Sequence, residues 1–153
     1  MTLIGIVAIN ASMNIFGLLF EVMNSNRREA GNYEVDWSAF VYGCFDGIVP
    51  WGILFSIIFA SIDLSYMPTF AWFLMFTYLF FFNTFPINMY LQYAQVGPWS
   101  DANYPDMNNG GYYFGEKVYQ VLSLVAKSVL IWGVVGGTVK YPLVDDIVPQ
   151  AAL

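Results

Sequence analysis

The chain has 153 residues, of which 58% are hydrophobic, 20% aromatic and only 10% charged, against about 25% charged residues in a soluble domain, so it reads as a polytopic, all-α membrane protein. A net charge of −6 with no basic patch excludes nucleic acid as a partner. With no histidine and one cysteine, Cys44, the chain can form no Ser/His or Cys/His nucleophile pair, no intrachain disulfide and no structural zinc cluster, and a non-enzymatic role is expected.

Four segments are long and apolar enough to cross a bilayer. The first spans about 2–23. It lacks the basic n-region and small-residue cleavage site of a signal peptide. It starts almost at Met1, as a genuine first helix or a truncated reading frame would. A polar stretch, Asn24 to Asp36, carries Arg27, Arg28, Glu29 and Glu34. The second segment spans about 37–62, with Pro50 expected to kink it. A short link, Asp63 to Met67, leads to Pro68, a favourable first helical position. The third spans about 68–96, with Pro86 inside it. A loop rich in Asn, Gly, Pro and Tyr follows, Gly97 to Gly115, and then the fourth segment, about 116–139. The tail, 141–153, is too short and polar to cross.

Lysine and arginine in the loops set orientation. Arg27 and Arg28 mark the first loop and Lys117 edges the third, while the second has neither. Loops 24–36 and 97–115 are therefore expected in the cytoplasm, with the C-terminus outside. Trp37, Trp99, Tyr104, Tyr112 and Tyr113 fall near the interfaces, as an aromatic belt does. Gly133, Gly136 and Gly137 read as a small-residue surface for close helix packing.

Lys127 is the most informative residue. It lies in the apolar run Val118 to Val139, with no second charge inside that run. A lysine at the centre of a span costs roughly 2.5–3.5 kcal/mol on insertion scales. A carboxylate partner on another helix, a water-filled cavity, or chemistry that consumes the amine would each offset that cost. Desolvation favours the neutral, nucleophilic form of an amine, which is what imine formation with an aldehyde requires. Roughly ten residues on each side, some 15 Å of helix, place it beyond easy snorkelling. Ser123, four residues earlier, shares its helical face and can bond the amine or an imine, or bond back to its own backbone.

The third segment carries Phe80, Phe81, Phe82, Asn83, Phe85, Asn88 and Gln92. Buried amides need partners, so Asn83 and Gln92 are expected to face the interior. The pattern fits an aromatic box around an elongated apolar ligand, and equally ordinary interhelical packing. Asp46, four residues before Pro50, and Glu21 are candidate carboxylates for Lys127.

These residues resemble a known family, the heliorhodopsins. The stretch Glu116-Lys-Val-Tyr-Gln-Val-Leu-Ser-Leu-Val-Ala-Lys-Ser-Val-Leu-Ile-Trp132 is similar to that family's last helix. Phe81-Phe-Asn-Thr-Phe-Pro-Ile-Asn-Met-Tyr-Leu-Gln-Tyr-Ala-Gln-Val-Gly-Pro-Trp99 resembles its sixth, Gly47-Ile-Val-Pro-Trp51 part of its fifth, and Asn10 to Met23, with Gly17 and Glu21, its fourth. The resemblance covers almost the whole chain, in order. It implies a photoreceptor in which Lys127 binds all-trans retinal covalently as an imine, near Ser123. Trp51, Phe82, Asn83, Phe85, Pro50 and Trp132 are the implied pocket residues, and no metal is implied.

The resemblance also separates the chain from light-driven pumps, which usually place an aspartate where Ser123 stands. It implies an inverted topology, in accord with the loop charges. A complete member has seven helices, so helices one to three are expected in a longer protein or a complementary chain. Helix three carries the family's glutamate counterion. An imine without a nearby carboxylate deprotonates and absorbs in the near ultraviolet. Lipid surrounds the bundle, and family members tend to form homodimers. The competing reading is a chromophore-free four-helix membrane subunit, or a transporter or channel fragment, with Lys127 in an ion pair or along a pathway.

Overall fold

The computed structural model describes residues 2–61 and 69–140 and contains, among them, helices and turns but no strand. Helix α1 is Thr2–Glu29, α2 Ser38–Ser61, α3 Thr69–Tyr93 and α4 Gly110–Lys140, with 3-10 turns at Gly97–Trp99 and Asp101–Asn103. All four helices are long and apolar enough to cross a membrane. The link 63–67 with Pro68, and the tail 141–153, lie outside the described residues. The chain divides into two compact units, Met1–Tyr66 and Met67–Leu153. Each holds one pair of sequential, packed helices.

In the first unit α1 runs past the expected end near residue 23 to Glu29. Its last turn is polar, so hydropathy gives no sign of it, but it has good reasons to be helical. Arg27 and Arg28 suit the negative end of the helix dipole. Gly31, at φ +81°, closes the helix: its N–H bonds Arg28 O at 3.0 Å and that of Asn32 bonds Arg27 O at 2.8 Å. A side chain there would oppose the left-handed conformation.

Asn24, 2% exposed, ties the helix to the loop. Its Nδ2 donates to Phe20 O at 2.9 Å and Asp36 O at 3.3 Å, and its Oδ1 accepts from Asp36 N at 2.8 Å. The Asp36 carboxylate bonds Ser38 N at 3.0 Å and Ser38 Oγ at 2.7 Å, and takes Arg27 at 3.0 Å. The bonds from the Ser38 hydroxyl and N–H, aided by the Arg27 charge, hold the Asp36 carboxyl below its ordinary range. Phe20, fully buried, packs its ring on Trp37 and Phe40 beneath this clip.

Pro50 and Pro86 sit inside unbroken helices. Each removes one backbone N–H, which a membrane helix tolerates where neighbouring groups compensate.

In the second unit the α3–α4 seam is lined by glycine. A Cβ on Gly133 would lie 2.6 Å from Leu74 Cδ2 and one on Gly137 2.3 Å from Phe70 Cδ2. Those two glycines allow the close packing expected of the cluster. Gly136 does not share this role, since a Cβ there meets nothing within 4 Å.

Candidate functional site

Lys127 lies near the middle of α4 and is exposed, with no hydrogen bond or ion pair among the described residues. Ala126, just before it, is buried. The turn of the helix, about 100° per residue, carries Lys127 off the buried stripe. Ser123 is half-buried, one turn earlier on the face of Lys127. Other hydroxyls do bond back to their helices: Ser56 to Gly52 O at 2.7 Å and Thr138 to Val134 O at 3.1 Å.

The aromatic candidates fall in different places. Phe85 stacks on Tyr119 of α4, centroids 6.0 Å apart, and Tyr119 Oη donates to Phe85 O at 3.4 Å. Phe82 is half-buried and packs on Tyr78. Trp132 is 74% exposed, and five residues from Lys127 place it about 140° round the helix. Asn83 is exposed and donates to Leu79 O of its own helix at 2.8 Å, not to the interior as its amide suggested. Its neighbour in that expectation, Gln92, is buried. Pro50 and Trp51 belong to the first unit, where Trp51 is buried against Phe55. Lys127, Ser123 and the Phe85–Tyr119 stack therefore share one helix pair. The first unit's Asp46 has a partner of its own: it accepts from Ser12 Oγ of α1 at 2.5 Å.

A second polar group, only partly foreseen, locks the loop end of α3 and α4. Asn88 Nδ2 donates to Gly115 O at 3.1 Å, and Asn88 Oδ1 accepts from Trp99 Nε1 at 2.8 Å. Gln92 Nε2 donates to Tyr112 O at 3.0 Å and Glu116 Oε1 at 3.3 Å. Gln95, at φ +55°, caps α3 by donating from Nε2 to Gln92 O at 2.9 Å, and its Oε1 accepts from Asp101 N at 2.7 Å. Asp101 Oδ1 in turn accepts from Gly111 N at 2.8 Å, placing a carboxylate at the positive end of α4. This is why α4 starts at Gly110, six residues before the sequence suggested. Asn88 and Gln92, one helical turn apart on α3, face Gly115 of α4, and that spacing is the signal that marks the seam.

Among curated proteins none matches the chain. The family model for heliorhodopsin matches residues 1–139. Four membrane-length helices and a match over nearly the whole length agree: the chain belongs to the heliorhodopsin family.

Proposed function

We propose that this chain is a light-sensing, retinal-binding heliorhodopsin in which Nζ of Lys127 carries all-trans retinal as an imine. The observation that carries the reading is Lys127 itself: an amine in the middle of a membrane-length helix, accessible and free of any carboxylate among the described residues. An ion-paired structural lysine would have spent that reactivity. Condensation joins Nζ to the aldehyde carbon and releases one water. When bound, retinal supplies light absorption and isomerisation. The chain's own residues then do the rest. Ser123, one turn earlier on the same helical face, is the hydroxyl read as bonding the imine nitrogen. Phe82 and Phe85, on the helix pair that carries Lys127, are read as walls of the polyene site. The output is a shift between two bundle states, and hence signalling or regulation more than transport.

The four helices are read as the last four of the family's seven, completed by helices one to three in the same or a complementary chain. Loops 24–36 and 97–115 face the cytoplasm, the C-terminus lies outside, and lipid and a second copy are the expected neighbours. The test is absorbance after addition of all-trans retinal, with and without co-expressed helices one to three of a family member. The reading predicts a pigment that Lys127→Ala abolishes. Absence of any retinal-dependent band in both preparations contradicts it.

A further inference from the structure

On α3, Trp72 stacks on Phe76 and Phe82 packs on Tyr78, each partner one turn away on the same helix. Phe85 is different. Its ring stacks on Tyr119 of α4, with centroids 6.0 Å apart and planes 24° from parallel. The same Tyr119 reaches the backbone of the residue whose ring it covers: its Oη donates to Phe85 O at 3.4 Å. Phe85 immediately precedes Pro86, where α3 lacks one backbone N–H. Ring and carbonyl of Phe85 are therefore both held by one side chain of the neighbouring helix, at the point where the hydrogen bonding of α3 itself is interrupted.

Tyr119 lies four residues before Ser123 and eight before Lys127, about one and two helical turns. Side chains of a helix lean back toward its N-terminus, so the reach of the Lys127 amine is toward the Ser123 turn and the Tyr119 turn beyond it. We propose that Tyr119 is a positioning residue of the retinal site, fixing the Phe85 ring as a wall of the polyene pocket and acting through that ring. This role rests on the reading of Lys127 as the retinal lysine. The clamp itself needs no retinal. Stacked rings attract beyond the area they bury, so a ring covered on one face by Tyr119 presents the rest of its surface in one orientation. Phe85 is only half-buried, which leaves part of the ring for a ligand to meet. Tyr119 has its ring face on Phe85 and its hydroxyl on Phe85 O, so both of its interactions point to the same residue.

The experiment uses the full chain with co-expressed helices one to three of a family member and has two readouts. Without retinal, solid-state NMR of ¹³C-labelled Phe in lipid bilayers reads the flip rate of the Phe85 ring, assigned by Phe85→Leu. With all-trans retinal, the absorption maximum reads the surroundings of the polyene. Tyr119→Leu is expected to speed the flip and to shift the maximum. Tyr119→Phe, which keeps the stack and loses only the hydroxyl, should stay nearer the wild type in both. In a Phe85→Leu background, Tyr119→Leu should add no further shift, because its effect passes through that ring. An unchanged flip rate in Tyr119→Leu overturns the proposal, as does an unchanged maximum or an equal shift with and without Phe85. If Tyr119→Leu disturbs the other Phe signals, Tyr119→Phe decides, and no change in either readout overturns the proposal. A wild type that forms no pigment overturns the retinal reading and the pocket role with it, whereas the flip rate, read without retinal, separately decides whether Tyr119 holds Phe85.

Discussion

Trp99 donates its indole N–H to Asn88 Oδ1 at 2.8 Å, joining the loop after α3 to a buried amide of α3 itself. The same Asn88 holds Gly115 O of α4, so one side chain fixes loop and both helices. Trp99→Phe keeps the ring against Phe114 but strips the donor. A buried acceptor left unmatched costs about 1–3 kcal/mol. Thermal unfolding in detergent should show Trp99→Phe destabilised by that order, and Asn88→Leu, which takes the acceptor from the Trp99 N–H and the donor from Gly115 O, destabilised at least as much.

Glycine positions separate seam from surface. A Cβ on Gly111 would lie 2.1 Å from Trp99 O, a backbone atom that cannot step aside cheaply. Gly111→Ala is expected to cost at least the 1–3 kcal/mol of an overpacked site. Gly136→Ala meets open space and replaces a poor helix former with the best one. It should be neutral or slightly stabilising. Melting temperatures of the two variants, measured side by side, check the contrast.

The Asn24 clip makes a similar prediction in the first unit. Asn24→Leu leaves the partly buried N–H of Asp36 without its acceptor and strips the donor from Phe20 O, and should cost on the order of 1 kcal/mol. Unfolding followed by the fluorescence of Trp37, which packs beside Phe20, reports it.

The Asp36 carboxyl gives a pH dependence with a definite sign. Its folded value lies below the ordinary 3.8 because Ser38 and Arg27 favour the charged form. A depressed carboxyl stabilises the fold above the unfolded value, and that stabilisation is lost as pH falls through the folded one. Between about pH 6 and about pH 3 the wild type should therefore lose more stability than Asp36→Asn. Equal losses would remove the carboxylate from the account.

Much of this was legible in the sequence. The four spans stand out because uninterrupted apolar runs of bilayer length have few alternatives, and Lys127 stands out because charge is so costly inside one. The glycines at 133 and 137 were legible as seam residues, but Gly136 was not separable from them without knowing which face of α4 meets α3. The polar ends were harder to read. Asn24 to Glu29 looks like loop because hydropathy reports membrane, not helix, and that turn extends beyond the apolar stretch. Gly110 to Gly115 looks like loop because glycine is a poor helix former; here it is required so that Trp99 and Gln92 can approach the backbone. The candidate pocket was the least legible part. Which faces Trp132 and Asn83 present depends on neighbours that periodicity cannot name.

Whether Lys127 is the residue that holds retinal can be read from the adduct itself. The chain is expressed with all-trans retinal, together with helices one to three of a family member, reduced with borohydride, digested, and mapped by mass spectrometry. A reduced retinyl adduct is expected on Lys127, none on Lys117 or Lys140, and none in Lys127→Ala. An unmodified Lys127, or an adduct confined to Lys117 or Lys140, would contradict that assignment.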